Sequence, residues 1–255
     1  MRFTVMGGDE RMCWLRRGLT EDGHKLVYRP DDAEAVILPM PLTRDGRTVD
    51  GTDIVIEDLL RRLPKGMPVL GGGHAEGVID YSADEALMRL NAIPTAEGAA
   101  AVAINNMPVT LWRSRAVVVG AGRIGMMLAA RLRDMGAHVT VTARSAADEA
   151  AVRALSVGYC PTCRIDGVIK DADVVFNTVP RPVIGGNALS KMKKDAIIIE
   201  LASRPGGVDR EAAEELDIRI IDAPGLPGRT APRTAGEIIC ETIYRMLGIV
   251  EGTGC

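Results

Sequence analysis

The sequence predicts an α/β protein made of two open parallel-sheet domains. Three observations carry this. The chain has 255 residues, more than one typical domain of 100–150 residues or so. Apolar runs of strand length alternate with helical patterns along all of it, the pattern of a parallel sheet covered by helices. The alternation also occurs twice, broken near Asn91-Ala-Ile-Pro94-Thr95-Ala-Glu97-Gly98.

In chain order, residues 3–6 read as a strand, 10–21 as a helix, and 25–28 and 35–38 as strands. A helix over 54–62 and a strand over 68–70 come next, ending in Gly71-Gly-Gly-His74. Pro94 disfavours helix before it and Thr95 can cap a helix after it, so a connector helix is expected over 95–107. The second set has strands near 116–119, 139–142, 174–176, 196–200 and 219–221. The last helix, within 233–248, carries Ile238, Ile239, Thr242, Ile243, Met246 and Leu247 on one stripe, which is expected to pack on the first domain. The domains are thus expected over 1–94 and 108–232, joined by those two helices.

Composition removes several function classes. With 47% hydrophobic and 25% charged residues, no large segment is too polar to fold, and disorder is expected only at the ends, chiefly 250–255. Net charge is −3 with the basic residues dispersed, and only 3% of residues are aromatic, so no nucleic-acid surface is expected. The apolar runs are strand-sized and the chain begins in one, so neither a membrane span nor a signal peptide is expected, and the protein is expected in the cytoplasm. Five cysteines are too few for a disulfide scaffold. Cys160-Pro-Thr-Cys163 has redox or half-zinc spacing, but no second Cys/His pair completes four ligands, so no metal is expected and the pair reads as small residues at a strand end.

The informative motif is Val117-Val-Val-Gly120-Ala-Gly122-Arg123-Ile124-Gly125, a strand and a Gly-x-Gly-x-x-Gly turn opening an amphipathic helix. Gly120 permits the tight turn, Gly122 lets the backbone approach a pyrophosphate, and Gly125 lets helix pack on strand, which makes the second domain a Rossmann domain. The pyrophosphate is expected at the helix N-terminus. After the next strand an NAD enzyme usually has an acidic residue for the ribose, but here the chain reads Ala143-Arg144-Ser145. Arg144 and Ser145 therefore point to a 2′-phosphate and NADP, with Arg123 near it or the pyrophosphate. The other reading is that Arg144 stands in solvent while NAD binds.

Ligands of such sheets gather at the carboxyl ends of the strands. The loops there are Asn177-Thr178-Val-Pro180, Ala202-Ser203-Arg204-Pro-Gly206-Gly207 and Ala223-Pro-Gly225-Leu-Pro-Gly228-Arg229, with Gly7-Gly8-Asp9-Glu-Arg11, Leu38-Pro39 and Gly72-Gly73-His74 in the first domain. They bring backbone N–H groups and guanidinium forks, which hold carboxylates.

These segments resemble the dipicolinate synthase A-subunit family over nearly the whole chain. The resemblance rests on Gly7-Gly-Asp9-x-Arg11, Ile93-Pro-Thr95-x-Glu97-Gly98, the glycine turn, Ala143-Arg144-Ser145, Asn177-Thr178-x-Pro180, Leu201-Ala-Ser203-Arg204-Pro-Gly-Gly207, and Ala223-Pro-Gly225-Leu-Pro-Gly228 with Pro232-x-Thr234-Ala-Gly236 beyond. The first domain is shorter than that pattern, and Cys160 and Cys163 lie outside it.

The resemblance implies oxidation of dihydrodipicolinate, with hydride passing to NADP⁺, to the pyridine dicarboxylate of bacterial spores. It also implies a homo-oligomer and a flavoprotein-like B subunit. The cofactor residues are then Gly120, Gly122, Arg123, Ile124, Gly125, Arg144, Ser145, Asn177, Thr178, Pro180 and Ser203. Arg204 and Arg229 are expected to hold carboxylates, with Arg233, Arg11 and the Thr95 helix start as further anion sites, in a cleft between the domains. Plainer readings pair Arg204 with Asp209 and leave Arg233 on a solvated helix face. His74 and Asp9 are the general-base candidates, although water could take the proton. His24 and His138 stand at strand starts and read as packing residues. Rival readings are another two-domain dehydrogenase of the 2-hydroxy-acid type and a non-catalytic NADP-sensing subunit.

Overall fold

The computed structural model describes residues 1–249; the expectation of disorder over 250–255 lies outside them. The chain divides into two compact units, Ala92–Leu226 and a unit formed by Met1–Asn91 with the chain from Pro227 onward. The expected fold class is observed, since each unit holds one wholly parallel sheet.

In the first unit β1 (Arg2–Val5), α1 (Glu10–Glu21), β2 (Lys25–Leu26), β3 (Ala35–Ile37), α2 (Ile56–Arg62), β4 (Val69–Gly71) and β5 (Ile79–Asp80) give the sheet order β2-β1-β3-β4-β5. Asp9 caps α1 by accepting from the Arg11 N–H, one of the donors a helix start leaves orphaned. The strand expected over 25–28 stops at Leu26, because Tyr28 is fully exposed and Pro30–Asp32 turns away as a 3₁₀ helix. The two-residue β5 is too short for a periodic signal. One face of the sheet buries Phe3, Leu15 and Leu19 with Ile238, Ile239 and Ile243; the other buries Val36, Leu38, Ile56 and Leu59.

Helix α3 (Glu85–Asn106) corrects one expectation: Pro94 lies inside it, so Thr95 is mid-helix, buried, and at no helix start. Proline removes a single backbone donor, and here the burial of Ala92, Ala96, Ala99 and Ala103 outweighs that loss. The division between units falls in this helix, after Asn91.

The second unit contains β6 (Arg115–Val119), α4 (Arg123–Asp134), β7 (His138–Ala143), α5 (Ala146–Ala154), β8 (Gly158–Pro161), α6 (Asp166–Ile169), β9 (Val174–Asn177), α7 (Gly186–Leu189), β10 (Ile197–Glu200), α8 (Arg210–Glu215) and β11 (Arg219–Asp222). Their order, β11-β10-β9-β6-β7-β8, is that of the Rossmann fold, reversing between β6 and β9. Runs such as Val117-Val-Val and Ile197-Ile-Ile are apolar on both faces because both are covered by helices. Register sets the strand ends level: Thr142 faces Val119, Val119 faces Asn177, Asn177 faces Glu200, and Glu200 faces Asp222. The Cys160 strand end is β8, where Cys160 is buried and Cys163 exposed, both as free thiols.

Beyond that sheet, α9 (Leu226–Thr230) precedes α10 (Pro232–Leu247), which opens on a proline and closes on left-handed Gly248, the residue types suited to those two ends. The stripe of α10 lies in the core that holds Phe3 and Leu15.

Candidate functional site

The row of strand ends from Thr142 to Asp222 is the carboxyl edge of the Rossmann sheet, and the glycine turn stands at its point of reversal. Gly120 has φ +104°, and a Cβ there would come 2.6 Å from Thr178 Oγ1; a side chain would be both strained and obstructed. A Cβ on Gly125 would lie 2.0 Å from the Gly120 carbonyl oxygen, so helix and turn touch directly. At Gly122, by contrast, a Cβ would meet no described atom within 4 Å. Space is open at the residue that caps α4, and no side chain caps that helix. This twelve-residue helix therefore starts without a side-chain cap, the arrangement that suits an anion.

After β7, Arg144 is exposed and makes no ion pair or hydrogen bond among the described residues; Ser145 accepts from the Asp148 N–H and so caps α5. No carboxylate ends β7.

Asn177 and Thr178 both make side-chain hydrogen bonds within the protein. The Asn177 side chain is fully buried: its Nδ2 donates to the Val179 carbonyl at 3.0 Å and to Glu200 Oε1 at 2.7 Å, while its Oδ1 accepts from the Val179 N–H. Both of its N–H donors are spent within the protein, so its side chain holds the loop together. Thr178 Oγ1 donates to the Val119 carbonyl at 2.8 Å. Pro180 is exposed at the loop crest.

Sequence reasoning missed Glu200. It ends the apolar run of β10, only 3% exposed, and accepts from the Ala202 and Gly207 N–H groups as well as from Asn177. The signal was available: a charge closing a buried Ile-Ile-Ile strand needs partners at hand. Above it, Ser203 and Arg204 are exposed. Arg204 does not pair with Asp209, which instead caps α8. Its charge is felt by Asp222, whose carboxyl is held below the ordinary range first by hydrogen bonds from Arg210 and also by the Arg204 charge.

In the first unit, Arg11 and Asp9 are committed to each other. Arg11 is 7% exposed, its Nη2 donates to Asp9 Oδ2 at 2.8 Å and to the Met40 carbonyl, and its Nε donates to Asp9 Oδ1 at 2.9 Å. Burial would raise the Asp9 carboxyl, but Arg11 outweighs it and holds the group low. A structural cap and ion pair is what the two residues form, which corrects the expectation of an anion site and a base: a carboxylate so stabilised is a poor proton acceptor. Arg233 is likewise corrected. It pairs with Glu237 at 2.8 Å and lies over the Trp14 ring on the outer face of α10. Arg229 is exposed on α9 and unpaired among the described residues. His74, exposed in the loop after β4, makes no hydrogen bond among the described residues. His24 packs edge-on against Phe3 and Tyr244, as expected, whereas His138 is exposed and makes no ring contact among the described residues. Among the described residues no cluster of three metal-ligating side chains occurs, and no helix is long and apolar enough to cross a membrane.

Residues 95–219 match the family described as D-isomer specific 2-hydroxyacid dehydrogenase, NAD binding domain, so the second unit is a nicotinamide dinucleotide-binding domain of dehydrogenase type. The whole chain is similar to the A subunit of dipicolinate synthase from Bacillus subtilis (strain 168), 30% identical over 98% of this chain and 97% of that protein. The crystal structure of the dipicolinate synthase A subunit from Bacillus halodurans superposes with a TM-score of 0.88, at 26% identity over 96% of this chain and 97% of that one. The corresponding Bacillus subtilis crystal structure gives 0.86, at 29% identity over 97% and 96%.

Proposed function

The chain belongs to the dipicolinate synthase A-subunit family, and on that premise we propose that it oxidises dihydrodipicolinate to dipicolinate with NADP⁺. The observation that carries this reading is the character of the Rossmann sheet's carboxyl edge. It offers an uncapped helix N-terminus and two exposed guanidiniums, Arg144 and Arg204, while its own carboxylates, Glu200 and Asp222, are tied up in hydrogen bonds. Such an edge suits a phosphorylated cofactor and an anionic substrate.

The residues present fit the cofactor. The α4 N-terminus, open at Gly122, takes the pyrophosphate, and Arg144, with no carboxylate beside it, takes a 2′-phosphate. When bound, NADP⁺ supplies the hydride acceptor. Loss of hydride from one ring position and a proton from its neighbour turns a dihydropyridine into an aromatic ring, so the reaction is strongly downhill before any side chain acts. What remains for the protein is to orient the ring and hold its carboxylates. We assign Arg204 to one carboxylate, and Arg229, exposed and unpaired among the described residues, is kept as a further carboxylate candidate. His74 stays the candidate base, and water suffices if it is dispensable. The relatives are named as A subunits, which supports assembly with a second component; that this component is flavoprotein-like, and that this chain is a homo-oligomer, are further parts of the proposal.

The test supplies the purified chain, alone and with its second component, with the cyclic lysine-pathway precursor and NADP⁺. Dipicolinate formed with stoichiometric NADPH is the expected result. Its absence in both preparations, with the cofactor shown to bind, would overturn the assignment.

A further inference from the structure

We propose that Glu200 and Asn177 are a buried positioning pair that sets the loop carrying Arg204 for substrate, and that the same pair anchors the neighbouring cofactor-side loop. The inference rests on the reaction proposed above and names the residues that make the carboxyl edge work.

The pair joins two strand ends. Asn177 closes β9 and Glu200 closes β10, they face each other in register, and their side chains meet at 2.7 Å with exposures of 0% and 3%. Glu200 then reaches both feet of the next loop: Oε1 accepts from the Ala202 N–H at 3.1 Å and Oε2 from the Gly207 N–H at 3.0 Å. Between those feet the crest Ser203-Arg204-Pro205 is exposed, and its backbone closes on itself through the Gly206 N–H donating to the Ser203 carbonyl. The height of Arg204 above the sheet therefore depends on where Glu200 holds the feet.

The glycines of this loop have the same cause. Gly206 has φ +85°, and a Cβ there would stand 3.0 Å from Glu200 Oε2. A Cβ on Gly207 would come 2.5 Å from Asn177 Nδ2 and 2.6 Å from the Val179 carbonyl oxygen. The loop folds back directly onto the pair, leaving no room for side chains.

On its other side Asn177 both donates to the Val179 carbonyl and accepts from the Val179 N–H. It thereby fixes the Thr178–Pro180 turn, whose Thr178 hydroxyl stands 2.6 Å from where a Cβ on Gly120 would be. One hydrogen bond between two side chains thus ties the substrate loop to the wall of the dinucleotide turn. All three partners of Glu200 are N–H donors, a set that a carboxylate can accept and an amide cannot fully match. Burying a carboxylate is costly, and a plain strand end could be made with an apolar residue; the loop geometry is what an apolar residue would not supply.

The experiment uses the full-length chain with Glu200→Gln and Asn177→Ala. It reads the Kd for NADP⁺, the Kd for pyridine-2,6-dicarboxylate on the NADP⁺ complex, the melting temperature, and amide exchange over 201–207. For Glu200→Gln we expect the dicarboxylate Kd to rise about tenfold or more, the loss of a charged hydrogen bond, with NADP⁺ affinity changed little and exchange over 201–207 accelerated. Asn177→Ala, which frees both loops, should weaken both ligands. A folded Glu200→Gln protein with wild-type dicarboxylate affinity and wild-type exchange would overturn the proposal. Should that variant not fold, Asn177→Ala with both affinities unchanged would do the same. Failure of the unmodified complex to bind the dicarboxylate would instead overturn the proposed reaction, and the substrate half of this inference with it, leaving exchange to decide whether the pair holds the loop.

Discussion

Replacing Arg144 by Asp should invert cofactor preference. Arg144 comes directly after β7, is exposed, and has no partner among the described residues, so its substitution disturbs no internal contact and its effect is read in binding alone. A guanidinium on a 2′-phosphate is a charge-assisted contact worth about 1.5–3 kcal/mol. Its loss in Arg144→Ala therefore raises the NADP⁺ Kd by about 10- to 150-fold, at about 1.4 kcal/mol per tenfold. Aspartate adds repulsion of the phosphate and can accept from the ribose hydroxyls of NAD⁺, which would otherwise find no carboxylate here. Calorimetric titration with both cofactors, at low and at physiological salt, checks this; the preference should narrow with salt because the contact lies at the surface. Equal affinity of the unmodified protein for NADP⁺ and NAD⁺, or an equal loss of both in Arg144→Ala, would refute the reasoning.

Three other outcomes are expected. Gly125→Ala forces a methyl to 2.0 Å from the Gly120 carbonyl oxygen; overpacking of this kind costs about 1–3 kcal/mol, visible as a lower melting temperature and weaker binding of either cofactor. Arg204→Ala should lower kcat/KM for the dicarboxylate by about 2–4 kcal/mol of transition-state stabilisation while NADP⁺ affinity holds, and full retained activity would remove Arg204 from the site. The Asp9 carboxyl lies below the 3.8 of an ordinary aspartate, so its contribution to stability is complete above the unfolded-state value and fades as pH falls through the lower folded one. Asp9→Asn should therefore destabilise the protein at neutral pH, by about 1–2 kcal/mol of lost capping and ion pairing, and flatten that acid-side loss in denaturant titrations between about pH 5 and pH 2.

Much of this protein is legible locally. The glycine turn, the apolar runs of β6, β9 and β10, and the stripe on α10 each report their structure because a single periodicity or a single steric requirement acts at each. Arg144 is similar: the absence of an acid after β7 is a fact of the sequence, and the structure adds only that the residue is exposed and that nothing among the described residues pairs with its charge. Pro94 was misleading for the opposite reason. Its local preference against helix is real, but Ala92, Ala96 and Ala99 are buried around it, and burial over a whole helix exceeds the loss of one backbone donor.

What only the tertiary structure decided is which polar residues are spent and which are left over. Arg11, Arg233, Arg204 and Arg229 look alike as residues beside loops, yet the first is buried against Asp9 and Met40 and the second pairs with Glu237 beside Trp14, while the other two are unpaired among the described residues. Asn177 looked like a ligand contact and is buried, while Glu200, unremarked in the sequence, gathers three donors from two strand ends. The physical reason is that a hydrogen bond depends on the partner's position in space. Asn177 and Glu200 stand 23 residues apart in the chain, and only the parallel register of β9 and β10 brings them face to face.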